Sequence, residues 1–137
     1  MIKRIALVVF LGLLFNPFLS SAQDSIAVKD LEEEKELKFQ QYFFKALSEK
    51  SIKNYQKAIE NLELCNEILP EEVSVFFELS KNYLLLDKID DSKLYINKAL
   101  EKEPENLWML SHLVEVYKKD RDYVSAIEVQ KKVIEQD

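Results

Sequence analysis

The side chains able to carry nucleophilic, acid–base or metal chemistry are few in this sequence and are not grouped. His112 is the only histidine and Cys65 the only cysteine, and neither has a second ligand at metal-binding spacing. The acidic pairs that begin at Glu71 and Asp90 lie at expected helix starts, where capping and the helix dipole account for them. The only glycine is Gly12, so the sharp turn that presents a catalytic serine is not encoded. We therefore expect a non-enzymatic protein without a metal or cofactor.

The composition favours an all-α protein and argues against several ligand classes. The 137 residues suffice for one domain, and helix-forming Lys, Glu and Leu are abundant. A chain with one glycine has no Gly-rich phosphate loop, and we expect no small-molecule substrate. The net charge of −6, with no basic stripe, repels phosphate backbones, so nucleic acid is not an expected partner.

Residues 1–22 have the pattern of a secretory signal peptide. Lys3 and Arg4 precede an apolar run at 5–15, and small residues close the segment at Ala22. We expect cleavage between Ala22 and Gln23, and the junction resembles bacterial signal peptides, which implies a periplasmic location. The alternative is an uncleaved segment that holds the protein on the membrane, but the run is shorter than the ~20 residues needed to cross a bilayer.

Three stretches of the chain share one spacing. Ala58, Ser92 and Ala126 are each 34 residues apart, and Pro70 and Pro104 are separated by the same interval. A small residue and a closing proline that recur at a fixed period indicate tandem structural units, each of which buries its apolar face against a neighbour.

The middle stretch carries the fullest version of the motif. Its aromatic, leucine, small and tyrosine positions are Phe76, Leu79, Ser80 and Tyr83. This pattern resembles the tetratricopeptide repeat (TPR) family over about three quarters of the chain. The resemblance implies an all-α, right-handed solenoid of antiparallel helical hairpins, about six helices in total. It divides the chain into a lead-in at 23–38 and repeats at 39–72, 73–106 and 107–137, the last of them truncated.

The outer repeats depart from the pattern at specific places. Lys45 and Glu49 stand in the first repeat where Leu and Tyr are usual, and Gln130 stands in the third where an apolar residue is expected. Cys65 falls where the repeats place a small residue between helices, so we expect it to be buried packing and not a reactive thiol.

The helix boundaries follow from capping signals and prolines. A capping-box signal at Asp30 and Glu33 predicts that the first helix begins near Asp30, after a flexible lead-in at 23–28. The N-caps expected for the second helix of each hairpin are Asn54, Asp90 and Asp122. The six expected helices run at about 30–50, 54–69, 72–86, from Asp90 to near Glu103, 106–119 and 122–136.

In TPR proteins the first helix of each hairpin lines a groove that holds an extended peptide or a partner helix, and the resemblance implies the same here. Seven residues are expected to form a partly apolar floor with lysines among it: Phe43, Leu47, Phe77, Lys81, Leu84, Trp108 and Lys118. The alternative for each of them is ordinary packing between helices. Either way, the expected partner is a protein or peptide.

One TPR subclass binds the C-terminal carboxylate of chaperones through a clamp of Lys, Asn and Arg. The corresponding places here hold Phe43, Leu47, Glu78, Trp108 and His112, so that partner class is disfavoured.

The resemblance implies a scaffold or adaptor of the cell envelope. The rival is the sensing or docking region of a longer envelope signalling protein or enzyme, which the downstream reading frame would distinguish. At the C-terminal end Val129, Val133 and Ile134 are expected to present an uncovered flank. Either the chain continues as a longer array, which we favour, or that flank docks against another copy.

Overall fold

The computed structural model describes the backbone of residues 18–136 and the side chains of residues 28–135. The basic and apolar parts of the expected signal peptide therefore lie outside the described residues. Six helices, and no strand, make up the regular structure of residues 18–136, which confirms the all-α fold class. They are α1 (Phe18–Ser51), α2 (Tyr55–Ile68), α3 (Val73–Leu85), α4 (Ile89–Lys102), α5 (Leu107–Lys119) and α6 (Tyr123–Gln136).

The first helix is longer than expected. α1 runs without a break from Phe18 to Ser51, so the flexible lead-in at 23–28 and the helix start near Asp30 were wrong. Residues 18–38 contain neither glycine nor proline, and the capping-box signal acts only where the chain enters a helix from a non-helical segment. The chain divides after Glu34 into two compact units, and the hairpins described below all belong to the second.

The other helices pair as consecutive hairpins, and the turn inside each hairpin has one design. The second residue after the first helix takes a left-handed backbone conformation in all three turns, at Lys53, Asp87 and Arg121, with φ of 64°, 58° and 62°. The next amide N–H then closes back onto a carbonyl five residues earlier, at 2.9, 3.0 and 2.9 Å. This is the wider of the two bonds of a Schellman motif, which ends a helix by satisfying its free carbonyls.

The N-caps agree only partly with the expected ones. Asp122 precedes α6, and its carboxylate accepts from the Ser125 backbone N–H at 3.1 Å and from the Ser125 hydroxyl, which together lower the pKa of Asp122. Asn54 precedes α2 as expected, but its side chain donates to Glu49 and does not cap the helix. Asp90 was the wrong choice, because α4 already begins at Ile89 and Asp90 lies in its first turn.

Each hairpin has a pair of small or compact buried residues, one in each of its two helices. The pairs repeat at 34-residue intervals: Ala46 with Ala58, Ser80 with Ser92, and Val114 with Ala126. A short side chain at this place lets two helices approach closely enough to pack without a void. In the middle pair the two serine hydroxyls lie 2.9 Å apart, and the spacing recognised in the sequence marks a buried residue in every hairpin.

Two clusters of buried side chains connect neighbouring hairpins. The first joins α1 and α2 to α3 and consists of Ala46, Ile59, Leu62, Cys65, Val75 and Leu79. The second joins α3 and α4 to α5 and α6 and is centred on Phe76, Ile96, Leu110, Leu113 and Val129. Tyr95 packs against both clusters, so α4 contributes to each.

Two expectations about buried residues have different outcomes. Cys65 is fully buried, as expected, and burial raises the pKa of its thiol to about 11, so it stays protonated. Val129 was expected on an uncovered flank but is buried in the second cluster, with Val133 packed against that cluster. Ile134 is exposed as expected, and so is Ile127. Val129 and Val133 are four residues apart and therefore share the helix face that packs on α5, whereas Ile127 and Ile134, seven apart, share another face.

We expect Leu79→Asp to unfold most of the second unit, because it places a charge without a partner inside the first cluster. The matched control is Leu94→Asp, on the exposed side of α4, which should change the free energy of unfolding by no more than about 0.5 kcal/mol. Circular dichroism and thermal melting measure both. A helical spectrum with unchanged melting for Leu79→Asp would contradict the cluster.

Candidate partner-binding surface

The seven residues expected to bind a partner lie on the first helices of the three hairpins, α1, α3 and α5. We call these seven and their charged and histidine neighbours on the same helices the A-face, defined by Phe43, Leu47, Lys50, Phe77, Glu78, Lys81, Leu84, Trp108, His112, Glu115 and Lys118. Helical spacing places the members from one helix on one side, and contacts between helices, described next, connect the three sides.

Glu78 connects α1 and α3 on the A-face. One of its carboxylate oxygens accepts from the Lys50 ammonium at 2.6 Å, and the other accepts from Lys81. The Glu78 side chain is largely buried between the two lysines. A carboxylate with partial burial and two cationic donors is held in one orientation, because its charge is compensated only there.

Phe77 connects α3 and α5. Lys81 Nζ lies 4.3 Å from the centre of the Phe77 ring, and the Phe77 and His112 rings are nearly perpendicular, with their centroids 5.6 Å apart. Phe77 also packs against the second core cluster, so only part of its ring is available to a partner. The lysine over the ring adds a cation–π contact, worth about 0.5–1 kcal/mol at exposed sites.

His112 belongs to a buried hydrogen-bond network. Its Nε2 lies 2.9 Å from the Ser80 hydroxyl, which also lies 2.8 Å from the Ser92 carbonyl, and the Ser92 hydroxyl donates to the Ser80 carbonyl at 2.8 Å. Burial, and next the positive charge of Lys81, lower the pKa of His112 to about 4. The imidazole is therefore neutral at pH 7, and Ser80 is too deeply buried to meet a substrate.

A surface depression lies between the C-terminal ends of α3 and α5. Leu84 and Leu85 form its apolar side, and Glu115, Lys118 and Lys119 form its polar side. Lys118 donates to Glu115 at 2.8 Å within α5. The depression therefore offers an apolar contact next to an ion pair that solvent reaches, a combination that suits one apolar side chain of a bound peptide.

The structure brings some of the seven expected residues into contact and leaves others apart. Phe77 contacts Lys81, and Leu84 and Lys118 line one depression. Phe43 stacks on Phe39 at 5.8 Å and packs against the first core cluster.

Leu47 is half-buried one helical turn after Phe43. Trp108 is 81% exposed in the first turn of α5, on the same side of that helix as Glu115 and Lys118.

Most of the contacts between side chains that hold this surface in place could not be predicted from the sequence. Glu78 and Lys81 are three residues apart, so helical spacing alone could have paired them. The contact of Lys50 with Glu78 depends on how α1 packs on α3, and the contact of His112 with Ser80 depends on α5 meeting α3. Neither has a signal in the spacing of the residues.

Within residues 28–135, no three side chains of His, Cys, Asp or Glu are arranged to hold a metal ion. In the described part of the chain, no helix has the length and apolar content required to traverse a lipid bilayer.

The neutral state of His112 predicts a pH dependence of stability. Because the pKa is about 4 when folded and near 6.5 when unfolded, the unfolded chain binds more protons between these values. The stability contribution is thus complete above pH 6.5 and lost as the pH falls toward 4. At pH 5 the loss is at most about 2 kcal/mol, since solvent reaches part of the ring. Urea unfolding of the wild type and His112→Gln at pH 7 and pH 5 isolates this contribution; an equal loss in both would contradict it.

Comparison of the sequence with known proteins finds a weak similarity to a co-chaperone. No model of a known protein family matches the sequence. It is 27% identical over 101 residues, 73% of this chain, to the Hsp70/Hsp90 co-chaperone CNS1 of Saccharomyces cerevisiae. The chain spans 26% of that relative's length. The similarity and the six helices, stacked as hairpins with a 34-residue spacing, are consistent with a TPR-like fold.

Proposed function

We propose that this chain is a TPR-type protein interaction module that holds a peptide or helix of a partner protein on the A-face. The observation that carries the proposal is Trp108, whose large aromatic side chain is 81% exposed on the side of α5 that also carries Glu115 and Lys118. Tryptophan is enriched among residues that dominate binding energy, and a folded domain rarely leaves one so exposed without use. The relative is an Hsp70/Hsp90 co-chaperone, a protein that works with other proteins, which also supports the proposal.

The charges of the A-face narrow the chemistry of the partner. Lys50 and Lys81 share Glu78, and Lys118 pairs with Glu115, so three ammonium groups meet two carboxylates. The face is therefore slightly positive on a chain whose net charge is −6. This balance favours a neutral or weakly acidic segment with an apolar anchor for the depression, because the remaining surface repels acidic partners.

A free C-terminal carboxylate is not the expected ligand. Among the places where the chaperone-binding subclass has its clamp, Glu78 supplies a negative charge and His112 is neutral. Both work against a carboxylate group, so the proposal covers internal segments or helices of a partner, even though the relative is a chaperone cofactor by name.

The proposed setting is the bacterial cell envelope, where the chain acts as a scaffold or adaptor. The support is the basic, apolar and small-residue order of residues 1–22, typical of an exported protein. If that segment stays uncleaved, the module is membrane-associated through it. The alternative function is the docking region of a longer signalling protein or enzyme. More repeats encoded downstream favour the scaffold, and a catalytic domain encoded there favours the alternative.

A binding experiment with matched variants tests the proposal. The full chain captures partners from envelope extract, mass spectrometry identifies them, and calorimetry measures their affinity for wild type and Trp108→Ala. Because Trp108 is largely outside the core, this variant should fold normally and weaken binding by about 2 kcal/mol, roughly 30-fold. Tyr123→Ala removes another exposed aromatic, at the start of α6, and should bind like the wild type.

Equal affinities for wild type and Trp108→Ala would contradict the assignment of the A-face as the binding surface. If the chain captures no partner at all, or if Tyr123→Ala weakens binding as much as Trp108→Ala, the proposed function is wrong in this form.

A further inference from the structure

The last helix exposes a position that the earlier hairpins cover. The three equivalent residues, one in the second helix of each hairpin, are Ile59, Lys93 and Ile127. Ile59 is 2% exposed in the cluster shared with α3, and Lys93 is ion-paired with Asp120 at the end of α5. Ile127 is 57% exposed, with no described helix packed over it.

The opposite end of the array exposes the matching half of this contact. At the first internal junction Leu86 packs against the cluster that contains Ile59. At the second internal junction the residue equivalent to Leu86 is Asp120, which pairs with Lys93. The equivalent position in the first hairpin, 34 residues before Leu86, is Ile52, directly after α1. Ile52 is 71% exposed. One chain thus carries both halves of a junction between repeats, on opposite ends.

We propose that a second copy of this chain docks head to tail, with the α1 end of one copy on α6 of the other, in the register that joins its own repeats. Ile127 then meets Ile52 of the second copy. The contact uses none of the A-face residues that carry the proposed function, so a negative result for one proposal does not contradict the other.

Two further pairs across this junction have complementary chemistry. The Tyr83 hydroxyl lies 3.4 Å from a Glu63 carboxylate oxygen across the first internal junction. The equivalent places at the junction of two copies are Lys131 and Glu49, which have opposite charges.

Leu62 and Leu79 share the first cluster, and Ile96 and Leu113 share the second. The corresponding pair between copies is Gln130 and Lys45, both polar. The departures from the repeat pattern in the first and third repeats therefore face each other across the same junction.

These pairs predict a reversible association in which the number of copies in the oligomer is not fixed. One polar pair, Gln130 with Lys45, replaces the apolar pair found at each internal junction, so the contact is weaker than those inside the chain. Because the two faces differ, each added copy leaves one face of each kind open, and a head-to-tail contact of this type does not close on itself.

Sedimentation velocity of the full chain over a range of concentrations tests the proposal with two variants. Ile127→Asp disables the α6 face, and Ile52→Asp disables the α1 end. Both side chains are largely exposed, so neither change should unfold the chain, and circular dichroism verifies this. The wild type should form species that grow with concentration, and each variant alone should stay a monomer of 16.1 kDa.

An equimolar mixture of the two variants gives the sharpest result. The intact α6 face of Ile52→Asp accepts the intact α1 end of Ile127→Asp, so the mixture should form a dimer and nothing larger. The matched control is Val124→Asp, which changes another exposed apolar residue of α6. Its equivalent in the middle repeat is the exposed Asp90, outside the junction, so this variant should associate like the wild type.

Three outcomes would overturn the proposal. A wild type that stays monomeric at every concentration has no such contact. Association of Ile52→Asp alone would show α6 pairing with α6 or a contact elsewhere in the chain. An equal loss of association in Val124→Asp would show a general apolar attraction without the proposed register.

Discussion

In each hairpin a pair of small or compact buried residues, one in each helix, lets the two helices pack closely enough to share an apolar face with the next hairpin. At Ser80 and Ser92 the contact is polar, and each hydroxyl bonds the carbonyl of the other residue. Because both groups are satisfied, the buried serines carry little penalty and hold α3 and α4 in a defined register. Ala58 and Ala126 occupy the same place in the neighbouring hairpins with no polar group to satisfy.

This contact also positions the candidate binding surface. The Ser80 hydroxyl that closes the middle hairpin is also a neighbour of His112 in the next one, and His112 supports the ring of Phe77. Lys81 lies over that ring and shares Glu78 with Lys50 of the preceding hairpin. A chain of contacts thus runs through all three hairpins, so the A-face is as rigid as the packing beneath it.

The 34-residue spacing predicted the elements of the fold because it reflects the packing directly. A small residue at 58, 92 and 126 and a proline at 70 and 104 fixed five of the six helices to within one or two residues, apart from the capping residue of α4. The start of α1 could not be found in this way, since nothing in residues 18–38 breaks a helix and the repeat pattern begins only at 39.

The candidate site was harder to predict than the fold. Helical spacing placed Trp108 and Lys118 on one side of α5, but it could not show that Phe43 stacks on Phe39 or that Phe77 joins a core cluster. Such contacts depend on the angle and offset between helices, which change the exposure of a side chain without changing the sequence pattern. The pairing of Glu78 with Lys50 is of the same kind.

The central claim is that each hairpin is stabilised mainly by its neighbours, and amide hydrogen exchange of the full chain in dilute solution tests it most directly. The middle hairpin, α3 and α4, has a packed neighbour on both sides, so its amides should exchange most slowly. Protection should fall toward α6, which has a neighbour on one side, and should be lowest in residues 18–34. Equal protection of all six helices, or faster exchange in α3 and α4 than in α6, would contradict the account.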